Sequence, residues 1–156
     1  MAKYSIFDIA TWFLNKESMT HKRLQKLCYY AYAWDLAIRN GNLIKNCNFE
    51  AWVHGPVNRS LYDMLKGSRL KELTPADIKI TTTKITDPDD VDFLESVWAT
   101  YGEYGANSLE VMTHDEAPWK NARVGYDAFE SCQNVISTDD MKNYYSSIYI
   151  GTEDDA

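Results

Sequence analysis

The sequence predicts a mainly α protein: a single compact helical domain with two or three short β-strands. Three observations lead there. The chain has 156 residues, the size of one globular domain. Apolar residues at helical spacing recur along most of it, whereas period-two alternation is confined to two short stretches. Its 45% apolar and 13% aromatic content supplies a core for a chain that buries roughly 70% of its unfolded surface without a disulfide or metal staple. The expected division is one domain over residues 1–150 and an acidic flexible tail over 151–156.

Ser5 followed by Asp8 reads as an N-cap with an acidic partner. Ile6, Ile9, Ala10, Phe13 and Leu14 then define an amphipathic helix over residues 6–16. Thr20 caps a second helix, whose stripe of Leu24, Leu27, Cys28, Ala31, Trp34 and Ile38 ends at Gly41. From Leu27 to Ala37 this helix is apolar or aromatic on nearly every side, the pattern of a bundle centre. Asn48–Val53 reads as a short strand broken by Gly55-Pro56. Val57–Lys66 reads as a third helix closed by Gly67. Ile78–Ile85 reads as a strand or extended loop, within a Pro-, Thr- and Asp-rich stretch (67–90) expected to be flexible. Asp87, Asp89 and Asp90 favour a helix start, with Val91, Leu94, Val97, Trp98 and Tyr101 as its buried stripe. Asn107 or Ser108 is expected to cap a short helix. Ala117-Pro118-Trp119 reads as another helix start, and Ser137 or Thr138 as the cap of the last.

Charge is uneven. Residues 1–78 carry 11 basic and 7 acidic side chains, net +4, and residues 79–156 carry 5 and 16, net −11, giving −7 overall. Such a balance argues against non-specific nucleic-acid binding. No uncharged run reaches the ~18 residues of a membrane span, and residues 1–4 lack a signal peptide's apolar stretch. Cys28, Cys47 and Cys132 read as free thiols in a reducing cytoplasm.

No catalytic signature emerges. His21, His54 and His114 stand on separate elements without metal-ligand spacing, so no metal or cofactor is predicted. Gly-x-Ser-x-Gly, His-Glu-x-x-His and phosphate-binding Gly-rich loops are absent. A Cys–His pair brought together by folding stays open. Three local features stand out. Asp35 lies on the apolar face of its helix and needs a basic or hydrogen-bonding partner. Trp52-Val53-His54-Gly55-Pro56 joins an aromatic, a titratable ring and a fixed turn. Thr113-His114-Asp115-Glu116-Ala117-Pro118-Trp119-Lys120 places a cap (Thr113 or Asp115) before a proline-started helix anchored by Trp119.

These segments resemble a known family. Leu24-Gln25-Lys26-Leu27-Cys28-Tyr29-Tyr30-Ala31-Tyr32-Ala33-Trp34 is similar to its helix motif. Phe49–Val57 with Leu61-Tyr62 is similar to its second block. Thr113-His114, Pro118-Trp119-Lys120 and Ala122-Arg123 are similar to its third. The family is the Panacea domain, known for SocA-like antitoxins and phage-associated GepA-like proteins. At Asp35 related sequences often carry His, so no role is carried over there. The resemblance implies a bacterial or prophage antitoxin, not an enzyme, that neutralises a cognate protein toxin by direct contact in the cytoplasm. One alternative is a proteolytic adaptor delivering the toxin to ClpXP, as in the SocA branch. A second is an enzyme with an unrecognised active site. His54, Arg59, His114, Lys120 and Arg123 are the candidate partner-binding residues, with His54, Arg59, Lys120 and Arg123 expected to be partly exposed. Trp34, Asp35, Trp52, Gly55, Pro56, Pro118 and Trp119 are assigned structural roles.

Overall fold

A computed structural model describes the backbone of residues 2–155 and the side chains of residues 2–149. The expected tail, 151–156, lies outside the residues described in full. Helices α1 (Ile6–Lys16) and α2 (His21–Ile38) start at Ser5 and Thr20, whose hydroxyls accept from the backbone N–H groups of Asp8 and Arg23. The Asp8 carboxylate returns a bond to the Ser5 N–H, completing a capping box. The short hairpin β1 (Glu50–Trp52) and β2 (Gly55–Val57) follows, then α3 (Arg59–Leu65), a 3-10 turn (Pro75–Asp77), α4 (Pro88–Tyr101), α5 (Ala106–His114), α6 (Ala117–Ala122) and α7 (Thr138–Asp155).

Helix α2 is the axis. α7 lies along it, and α1, α4, α5 and β2 pack around it. Leu24 through Ala33 are all buried, including the polar Gln25 and Lys26. Tyrosines fill much of the core and find partners for their hydroxyls, as buried phenols must. Tyr30 stacks on Tyr101 at 3.9 Å, and both Tyr30 and Tyr145 donate to Glu116 Oε1, at 2.9 and 2.7 Å. Burial raises the Glu116 carboxyl above its ordinary range despite these two bonds. On the opposite side Asp90, fully buried, accepts from Arg39 at 2.6 Å, Lys3 at 2.8 Å and the Tyr4 hydroxyl at 3.0 Å, joining the N-terminus and α2 to α4.

Several local expectations change. Gly55-Pro56 does not merely break a strand; it forms most of β2, with Trp52 opposite Gly55 and Ala51 opposite Pro56. Helix α3 therefore begins at Arg59, capped by Asn58, instead of at Val57. Residues 78–85 take the extended-loop alternative, held in part by the Thr83 N–H donating to Asp8 at 2.7 Å. Gly105 stands at the N-cap of α5, and Asn107, already inside the first turn, accepts from Lys22 at 2.9 Å. Trp34 is half-buried, its indole N–H on the Tyr101 hydroxyl at 2.8 Å. Among the described residues no helix is long and apolar enough to cross a membrane.

Candidate functional site

The hairpin sits on the N-terminal half of α2, and two α2 side chains hold it there. Gln25 acts as a surrogate strand: its Oε1 accepts from the Asn58 N–H at 2.9 Å and its Nε2 donates to the Asn58 carbonyl at 3.2 Å. Asn58 in turn caps α3 and donates from Nδ2 to the Asn48 carbonyl at 2.9 Å. Lys26, 1% exposed, runs beneath the turn and donates from Nζ to the Pro56 carbonyl at 3.1 Å. Burial, with Lys22 nearby, pulls its ammonium down to about 7. Gly55 is required here twice over. Its φ is +108°, and a Cβ would lie 2.5 Å from Lys26 Cε and 3.1 Å from Thr113 Oγ1.

The other side of the hairpin is fastened by α6. Trp119 donates its indole N–H to the Trp52 carbonyl at 2.8 Å. The ring of His114 stacks on Trp119 at 3.9 Å and 17°, and Arg123 lies against the same indole at 5.0 Å. Pro118 is buried in the first turn of α6. Glu116 occupies the N-cap of α6, where Thr113 or Asp115 was expected, but makes no cap bond because its carboxylate turns into the tyrosine core.

Arg123 overturns its expected exposure. It is 5% exposed, and its guanidinium donates to the carbonyls of Ala51 at 2.8 Å, Asp127 at 2.9 Å and Glu130 at 2.6 Å. A planar five-donor group is suited to gathering carbonyls from two segments, so Arg123 acts as a clamp between β1 and the loop after α6.

The remaining candidates border the hairpin. The His54 side chain is 73% exposed and its Nδ1 lies 3.1 Å from Glu110 Oε2. Arg59, 40% exposed, pairs with Glu50 at 2.9 Å and covers the Trp52 ring at 4.9 Å. Lys120 is exposed. His114 is half-buried; desolvation lowers its pKa, against the pull of Glu110 and a hydrogen bond to the Val53 backbone. Burial opposes ionisation of Glu110, yet Lys22 and His54 hold it below the usual glutamate range. Asp35, 1% exposed, accepts from the Leu43 N–H at 2.9 Å and has Arg39 at 3.8 Å. It sits away from the hairpin, and burial raises its carboxyl to about 6.

Sequence reasoning passed over Gln25, Lys26 and Glu110 as functional candidates. The signal available for Lys26 was a lysine immediately before the stretch, Leu27 to Ala37, that is apolar or aromatic on nearly every side. Among the described residues no three His, Cys, Asp or Glu side chains group as metal ligands. Cys28 is buried and its thiol is pushed well up by desolvation; the Cys47 thiol is pushed up to about 12 for the same reason. Both are therefore held as protonated thiols at neutral pH.

Segments 24–34, 49–57 and 113–123, far apart in sequence, thus converge on one hairpin. Residues 24–120 match the family model described as antitoxin SocA-like, Panacea domain. Comparison with curated proteins and with solved structures finds no match.

Proposed function

The chain belongs to the antitoxin SocA-like, Panacea-domain family, and we propose from this that it neutralises a cognate bacterial or prophage protein toxin in the cytoplasm by binding it directly. The family match carries the antitoxin role. What supports direct contact through the hairpin face is its construction: Lys26, Gln25, Trp119 and Arg123 fix the backbone from beneath, while His54, Arg59 and Lys120 project around it. A surface held rigid before association loses less entropy on binding, and arginine beside tryptophan is a frequent hot-spot combination. The protein is proposed to act without catalysis. In support, the thiols of Cys28 and Cys47 are protonated and His54 is engaged with a carboxylate, not a nucleophile.

Coexpression with the protein encoded beside it tests the reading. Growth rescue together with recovery of a complex supports direct neutralisation. Rescue that disappears in a ClpXP-deficient host favours delivery to the protease instead. On this reading His54→Ala or Arg59→Gln weakens toxin binding by about 1–2 kcal/mol, with the melting temperature changed by no more than the loss of one surface ion pair. Retention of full affinity by both variants places the contact elsewhere.

A further inference from the structure

We propose that the groove between the start of α2, the hairpin and the end of α3 is a receptor for a short acidic segment of a protein partner. The site rests on its own geometry; only the identification of that partner with the toxin rests on the antitoxin reading. The groove is about 290 Å³; Trp52, Tyr62, Lys66 and Arg69 line it together with His21, Lys22, Lys26 and His54. Small-molecule sites usually span about 300–1,000 Å³, so this volume suits one or two side chains better than a whole cofactor.

Among the described residues that line it none is a carboxylate, and burial pulls the His21 imidazole down to about 4, so its charge at neutral pH comes from lysine and arginine. The neighbouring acid, Glu110, is already engaged by Lys22 and His54. Lys66 and Arg69 are exposed and make no ion pair among the described residues. Lys26 forms the floor of the groove, 1% exposed and hydrogen-bonded to the Pro56 carbonyl, so Lys66 and Arg69 are the cations open to a ligand. Arg69 holds a left-handed backbone at φ 51°, a conformation that costs free energy in a non-glycine residue. Trp52 and Tyr62 meet edge to face at 4.7 Å, and His21 lies 5.6 Å from Tyr62. These rings offer apolar contact to the methylenes of a glutamate while the cations take its carboxylate.

Charge also separates the two classes of anionic partner. The groove draws on residues 21–69, in a half of the chain that carries net +4, while residues 79–156 carry −11. One or two carboxylates meet only the local cations, whereas a long polyanion also meets the net negative charge of the rest of the molecule.

The full chain, panned against a random heptapeptide library, tests this. The expected outcome is enrichment of Asp and Glu, perturbation of the Trp52 indole resonance by the recovered peptides, and a loss of affinity of roughly tenfold or more in Lys66→Glu/Arg69→Glu. Both positions are exposed, so the variant's melting curve should follow the parent's. An empty selection, peptides without acidic enrichment, or undiminished binding by the variant overturns the proposal. Tighter binding of a single-stranded oligonucleotide at Trp52 overturns it in favour of nucleic acid. If the parent fails to rescue growth from the neighbouring protein yet binds acidic peptides, the antitoxin reading fails and the groove stands. If the variant loses the peptides but rescues fully, the groove serves a partner other than the toxin.

Discussion

Replacing Lys26 with methionine removes a buried ammonium while keeping most of its volume. The Lys26 pKa falls from the ordinary 10.5 to about 7 in the folded protein. Between those values the unfolded chain binds more protons than the folded one, so stability rises with pH across that window. Linkage puts the cost of Lys26 to the fold at about 5 kcal/mol near pH 6, about 4 near pH 7 and about 2 near pH 9. Against this, Lys26→Met strands the Pro56 carbonyl, a loss of about 1–3 kcal/mol that does not vary with pH. The variant is therefore expected to be more stable than the parent by a few kcal/mol near pH 6 and close to it near pH 9. Urea denaturation of both proteins at pH 6, 7, 8 and 9, followed by far-ultraviolet circular dichroism, measures the difference directly. Unfolded cysteines, at about 8.5, and histidines, at about 6.5, also titrate in this range, and subtracting parent from variant cancels the contribution common to both proteins. A difference that stays constant from pH 6 to pH 9 would falsify the assignment of Lys26 as a buried, depressed lysine.

Gly55→Ala meets both a φ of +108° and the Lys26 side chain at 2.5 Å, so thermal melting should show a loss of at least about 2 kcal/mol; a near-parental melting curve would mean that the hairpin does not sit down on α2. Arg123→Ala releases the backbone carbonyls of Ala51, Asp127, Ala128 and Glu130 from a buried clamp and should cost about 2–4 kcal/mol. Any binding defect in that variant then follows its stability, in contrast to His54→Ala; unchanged denaturant stability would contradict the clamp. For Asp35 the folded pKa is raised from 3.8 to about 6, so the folded state holds its proton more tightly. Its stability contribution is largest below about pH 4 and is lost as pH rises through about 6. Relative to Asp35→Asn, the parent should therefore lose about 3 kcal/mol over that interval, and parallel pH–stability curves for the two proteins would refute it.

What the sequence discloses and what it hides divide along one physical line. The start of α1 was readable because Ser5, Asp8 and the apolar stripe act within a few residues of one another. α2 was readable because its length and apolar character are local properties, and Asp35 betrayed its need for partners by its position on the buried face. β2 was hidden because Gly-Pro-Val has little strand preference of its own; it is extended by pairing with β1 and by Lys26 beneath it. Arg123 looked like a surface residue because an arginine four residues beyond a buried tryptophan gives no sign that four carbonyls will surround it. The resemblance located the blocks that build the hairpin junction, but which of their side chains face solvent is set by long-range contacts. The basic groove gave no local signal, since Lys26, Tyr62 and Arg69 come from three segments and read separately as ordinary helix and loop residues.

Direct neutralisation, as proposed, requires stoichiometric contact between this chain and a protein toxin through the hairpin face. Isothermal titration calorimetry of the purified chain against the purified protein encoded beside it, with chelator present and without nucleotide or protease, tests this most directly. A saturable complex of defined stoichiometry is expected, silencing the toxin in the same tube and weakening by about 1–2 kcal/mol in Arg59→Gln. Absence of heat and of inhibition, with neutralisation appearing only when ClpXP is supplied, would contradict it.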